Sequence, residues 1–181
     1  GTDTPTWTTN ASATTAEIAS QVDLVNGSGS GGNTASLRIT VADGGAPVDL
    51  LISGVIRNQD GATTGVGAGT FNKQGDGTLQ LSNANTYTGG TVLSAGTLLV
   101  TNTSGSATGT GVVLVSGTSV LGGTGRIAGF VRLSGTFGPT SAAVSPGVGG
   151  VGTLTVDNDV QFFEDSRLLI DVAGTTADKL T

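Results

Sequence analysis

Between residues 77 and 172 the apolar side chains fall two apart. Leu79 and Leu81, Leu98 and Val100, and Leu154 and Val156 alternate with Thr78, Gln80, Thr97, Thr101, Thr153 and Thr155. A period of two belongs to an extended strand, whose successive side chains point to opposite faces. Val131 and Leu133 flank Arg132 in the same way, and Leu168, Ile170 and Val172 flank Arg167, Leu169 and Asp171. The first third follows suit, with Leu37, Ile39 and Val41 around Arg38 and Thr40, then Val48, Leu50 and Ile52 around Asp49, Leu51 and Ser53. Each run predicts one apolar row turned to a shared core and one polar or charged row turned outward. Threonine adds its β-branched preference for strands.

A tripeptide punctuates these runs. Gly77-Thr78-Leu79, Gly96-Thr97-Leu98 and Gly152-Thr153-Leu154 each open one, with Gly117-Thr118-Ser119 and Gly135-Thr136-Phe137 between them, so the glycines step by 19, 21, 18 and 17 residues. Strand-like units recurring at about twenty residues predict a solenoid, each unit stacking on the one before. The chain would then make roughly nine coils, and at ~4.8 Å per strand the stack would be about 40 Å long. Asn83, Asn85, Gly89-Gly90, Asn102, Gly122-Gly123 and Gly149-Gly150 lie between the runs and suit corners that need positive φ. One helix signal competes. Thr14-Thr15-Ala16-Glu17 before Ile18 resembles a capping box, but Val22, Leu24 and Val25 suit a strand, and a strand is expected there. Gly27 to Gly32 and Gly61 to Gly69 read as surface loops.

Composition narrows the function more than the fold. The 181 residues suit one domain over 1–181, with 1–20 as an N-terminal arm or a first coil. Glycine reaches 32 residues, yet the recurring Val, Leu and Ile runs make it turn punctuation rather than a linker. Seven bases against thirteen acids, a net charge of −6, leave no basic patch for nucleic acid or for an anionic membrane surface. No apolar stretch approaches a membrane-spanning helix. Without histidine or cysteine there is no Ser-His-Asp triad, imidazole ligand or thiol nucleophile. The start at Gly1 without a methionine anywhere fits a chain processed or excised from something longer, a removed secretory signal included.

One segment is more specific than the rest. Lys73-Gln74-Gly75-Asp76-Gly77-Thr78-Leu79-Gln80-Leu81-Ser82-Asn83-Ala84-Asn85-Thr86-Tyr87-Thr88-Gly89-Gly90-Thr91 closely resembles the autotransporter-associated β-strand repeat, also called the passenger-associated transport repeat. The usual form runs Lys-x-Gly-x-Gly-Thr-Leu-x-Leu-x-Gly-x-Asn-Thr-Tyr-x-Gly-Gly-Thr, and Asn83 stands where that form has glycine. The resemblance continues through Gly96-Thr97-Leu98, Leu121-Gly122-Gly123-Thr124-Gly125 and Ser145-Pro146-Gly147 ahead of Gly152-Thr153-Leu154, so that it covers 73–181. It implies an all-β, right-handed parallel β-helix, export across the inner membrane, and a place at the bacterial surface or outside the cell. It brings no catalytic residues.

Candidate chemistry is sparse. Asp157, Asp159, Glu164 and Asp165, with Arg167 nearby, form the densest acidic group; solvated corners are the simplest reading, and calcium is the one cofactor such oxygens could take. No calcium-loop spacing is present. Two carboxylates from neighbouring coils could also serve a polysaccharide-active enzyme on this fold. Against these stands a non-enzymatic, extracellular scaffold, adhesin stalk or fibre subunit. The end at Thr181 carries no evident cap, which points to head-to-tail contact between copies. The candidate contact residues are Trp7 at one end and Leu168, Ile170, Val172 and Leu180 at the other. An alternative is an autotransporter adhesin passenger that binds a surface or glycan ligand through loops such as Gly61 to Gly69.

Overall fold

The computed structural model describes residues 4–24, 36–58, 68–135 and 141–181. The Gly27 to Gly32 loop, Gly61 to Gly67 of the second loop, and Thr136-Phe137 lie outside these residues. Seven coils are stacked. The first holds β1 (Thr6–Thr8), β2 (Ala16–Ile18) and β3 (Val22–Leu24); the second holds β4 (Ser36–Thr40), β5 (Leu50–Ile52) and β6 (Ile56–Asn58). The third carries β7 (Thr70–Gln74) and β8 (Thr78–Leu81), and the fourth β9 (Thr91–Leu93) and β10 (Thr97–Val100). Three strands return in the fifth, β11 (Val113–Gly117), β12 (Val120–Gly123) and β13 (Arg126–Ile127), and in the sixth, β14 (Val131–Gly135), β15 (Ala143–Pro146) and β16 (Thr153–Val156). The seventh has β17 (Val160–Phe162), β18 (Arg167–Leu168), a hairpin of β19 (Val172–Ala173) and β20 (Thr176–Ala177), and β21 (Lys179–Leu180). Ala16–Ile18 and Val22–Leu24 are strands, as expected, and no helix occurs among the described residues.

Strands from equivalent places in successive coils pair in parallel. One seven-stranded sheet runs β1-β4-β7-β9-β11-β14-β17 and a second runs β2-β5-β8-β10-β12-β15-β18. The third face is shorter, with β3–β6 below and β13-β16-β21 above. Between them the bonds continue without regular strands: Thr86 N donates to Ile56 O at 2.9 Å and Ala107 N to Arg126 O at 2.9 Å. The molecule is a parallel β-helix.

Register explains the core. On the first sheet Trp7, Ile39, Lys73, Leu93, Val115, Leu133 and Phe162 lie directly over one another. On the second, the column is Ala16, Leu50, Leu79, Leu98, Leu121, Val144 and Leu168. Leu79, Leu98 and Leu121 are fully buried. Each such leucine contributes about 2 kcal/mol of apolar burial, and every inner coil supplies the floor and ceiling for its neighbours.

The spacing is less regular than the tripeptide suggests. Along the first column the steps from Trp7 to Ile39 and on to Lys73 are 32 and 34 residues; the next three are 20, 22 and 18, and the last, Leu133 to Phe162, is 29. Coils near twenty residues therefore occupy the middle, and seven coils rather than nine give about 29 Å between the outermost strands at ~4.8 Å each. Nor do the five tripeptides share one column. Thr78-Leu79 and Thr97-Leu98 pair directly, Gly117 and Gly135 end neighbouring strands of the first sheet, and Thr153-Leu154 stands on the third face.

Two glycines show why the repeat needs them. Gly75 has φ +77° and a Cβ there would lie 2.3 Å from Val41 O; Gly96 has φ +66° and its Cβ would lie 2.4 Å from Gly75 O. Both conditions exclude a side chain, because the backbone is left-handed and the adjoining coil passes too close.

Candidate functional site

The polar residues inside the stack act between coils. Lys73 replaces an aliphatic residue in the first column, and its side chain is fully buried. Its Nζ donates to Gly75 O at 2.6 Å and Gln74 O at 3.4 Å in its own corner, and to Ala95 O at 2.9 Å in the corner of the next coil. Burial pushes its pKa down from 10.5 to about 8, with Asp76 and Asp49 acting the other way. Tyr87 is also buried, its ring 6.0 Å from that of Phe71, and its phenol bonds Thr91 Oγ1. Desolvation raises the pKa of that phenol.

Four further buried side chains hold backbone groups. Asp49 accepts from Gly44 N at 2.8 Å and from Thr78 N at 2.7 Å, joining the second and third coils. Asp178 accepts from Gly152 N at 2.7 Å and Asp171 N at 2.8 Å, joining the sixth and seventh. Asn85 accepts from Ile56 N and donates to Ala107 O, so it touches coils on both sides. Asn102 accepts from Arg126 N at 2.9 Å and donates to Ser104 O and Gly105 O. Each satisfies groups that burial would otherwise leave unpaired. Asp49 thus does not belong to the outward row. Asn85 and Asn102 do not serve as left-handed corners either; among the described residues Asp165 alone has a positive φ without being glycine.

The acidic group disperses. Asp157 receives Arg126 Nε at 2.7 and 3.0 Å, and Glu164-Asp165 form a tight turn closed by Ser166 N to Phe163 O at 3.1 Å. No three acidic side chains gather to hold a metal ion among the described residues. Calcium is not favoured at these oxygens: Asp157 and Asp159 share the corner between β16 and β17, Glu164 and Asp165 lie in the next one, and Asp157 is committed to Arg126.

The five candidate contact residues separate to the two ends. Trp7 is 37% exposed on β1, the outermost strand of the first sheet. It stands between two depressions, one of about 350 Å³ walled by Ala16, Ile18, Ile39 and Leu50 and one of about 220 Å³ against Leu24 and Leu37. At the opposite end Leu168 and Ile170 are each 44% exposed. The run from Leu168 to Val172 is not one strand, however. The ladder stops at Leu168, Asp178 captures the Asp171 amide, and Val172 enters the antiparallel hairpin. Leu180 pairs with Leu154 and packs against the core, so it is only partly open. Sequence reasoning missed Phe162, which is 42% exposed at the end of the first column. Its alternation with Val160 was the available signal.

This architecture defines a class, the parallel β-helix with an apolar interior and inter-coil polar clamps. Within it, residues 71–100 match the family model of the passenger-associated transport repeat. The match takes in β7 through β10, inside which Lys73, Gly75 and Gly96 make the contacts described above. Residues 71–100 therefore carry that repeat. No curated protein and no solved structure matches the chain.

Proposed function

We propose that the chain is a non-catalytic scaffold segment of an exported bacterial surface protein and that its copies stack end to end into a rod. The observation that carries this reading is that, among the described residues, β1, β2, β17 and β18 each pair with a strand on one side only. Such edges bind further strands. The two edges of a parallel ladder differ, so a like-oriented copy continues the pairing and the contact stays open rather than closing into a ring. A non-catalytic role is supported by the lack of histidine and cysteine and by the structural use of Asp49, Asp157 and Asp178.

Light scattering and electron microscopy of the purified chain over a wide concentration range test the proposal. Rods of constant width with an axial repeat of about 34 Å, seven strands at ~4.8 Å, are expected. Monodisperse single copies at every concentration would overturn it.

A further inference from the structure

We propose that the outward face of the first sheet binds a carboxylated polysaccharide, with Leu114, Arg132, Ser134 and Phe163 forming the subsite for one acidic sugar. The site is lateral and needs neither end of the stack. A strand beyond β17 would lie on the far side of Phe163 and leave these walls in place.

Charge singles out this face. The chain carries thirteen acids, yet none of the seven strands of the first sheet contains Asp or Glu. Two of its outward positions are arginines, Arg38 and Arg132, and both are exposed. On the third face Arg57 bonds Asp23 and Arg126 bonds Asp157, each at 2.7 Å. Arg38 and Arg132 have no acid partner among the described residues. In a protein of net charge −6, two uncompensated cations on one acid-free sheet mark where an anion is welcome.

Register supplies the rest. One outward column runs Arg38, Asn72, Val92, Leu114, Arg132 and Gln161, and beside it Thr40 adjoins Gln74 and Ser116 adjoins Ser134. Leu114, Arg132, Ser134 and Phe163 line a depression of about 240 Å³. Arg132 Cζ lies 4.9 Å from the centroid of the Phe163 ring, which is 47% exposed. A guanidinium over a ring keeps its N–H edge for a carboxylate, which it grips through two parallel bonds. Leu114 and the ring offer apolar contact to the C–H face of a pyranose, and the Ser134 hydroxyl, which bonds nothing among the described residues, serves a sugar hydroxyl. Asp159 and Glu164 stand at the corners on either side of β17 and do not line the depression.

Other polyanions fit this face less well. Two arginines give too little charge for a phosphate backbone. An acidic peptide cannot add to the sheet here, because inner strands spend their backbone groups on the ladder and turn only side chains outward. Arg38 and Arg132 stand four rungs apart, about 19 Å along the axis. That sparse spacing suits carboxylates separated along a glycan by neutral sugars.

Affinity electrophoresis of the full chain tests the site, in gels containing hyaluronate, which alternates acidic and neutral sugars, polygalacturonate or alginate. Retardation by at least one of the three is expected, and the carboxyl-reduced form of that polymer is expected to bind at least tenfold more weakly. The reduced polymer probes the carboxylate contact without altering the protein. Arg132→Gln is expected to weaken binding at least tenfold and Phe163→Ala roughly fivefold, both with melting unchanged. Lys179→Gln, an equal loss of charge on the third face, is expected to bind as the wild type does. No retardation by any of the three, binding undiminished in Arg132→Gln or by carboxyl reduction, or equal retardation by poly-glutamate would overturn the proposal.

Discussion

The fourth coil and the seventh obey the same register yet differ in nearly every side chain's surroundings. In the fourth, Leu93, Leu98 and Val100 are fully buried. In the seventh, Phe162 and Leu168 hold the equivalent inward positions and remain 42% and 44% exposed, and the outward Phe163 and Leu169 are apolar as well. An inward position is thus only half of a core position in a stack. The other half is a coil on the far side.

The largest effect that separates the two regions is a truncated leucine. Leu98→Ala opens a cavity between two occupied coils and is expected to cost about 3 kcal/mol, whereas Leu168→Ala in the dilute single copy is expected to cost less than about 1 kcal/mol. Urea unfolding of both variants reads this directly; equal losses would mean that the end is covered.

A smaller contrast concerns glycine. Gly96 and Gly174 share a left-handed backbone, φ +66° and +63°, but a Cβ at Gly174 meets nothing within 4 Å. Gly174→Ala is expected to cost about 1 kcal/mol from backbone strain alone, and Gly96→Ala at least roughly twice that, because Gly75 O and Lys73 Nζ stand in the way. Melting curves of the two variants give the comparison.

The smallest effect is a pH response confined to the middle of the stack. The unfolded chain holds the Lys73 proton to about 10.5 and the folded chain only to about 8. Above pH 8 the unfolded state binds more protons, so stability climbs toward pH 10. Tyr87 opposes this beyond its ordinary 10.0, since the folded state keeps a phenol proton that the unfolded chain has released. Unfolding midpoints at pH 7.5 and 9.5 are expected to rise for the wild type and to stay level for Lys73→Met. A level wild type would show that the amine is not desolvated.

Much of the fold was legible because alternation is a local signal. Leu79, Leu81, Leu98 and Val100 announced their faces from spacing alone, and 73–91 announced its repeat. What lay beyond the sequence depends on neighbours. Lys73 read as a repeat signature, but its burial follows from Ala95 O lying one coil away. Asp49 sat in an alternating run and looked outward, until the amides of Gly44 and Thr78 were placed around it. Leu168 to Val172 alternates well enough for a strand, and only the Asp178 carboxylate reveals why the ladder ends there. At the candidate contact site Trp7 and Leu168 were legible one by one, whereas Phe162 was not, and its place at the end of the first column required the register.

The uneven coils carry a last consequence. Two circuits consume 32 and 34 residues while another closes in 18, yet each adds a single rung. Axial reach is therefore counted in circuits, and residues added within a circuit leave the height unchanged. Such a spine lets its flanks diversify freely, because nothing inserted at a bend disturbs the alignment of the rungs above and below it.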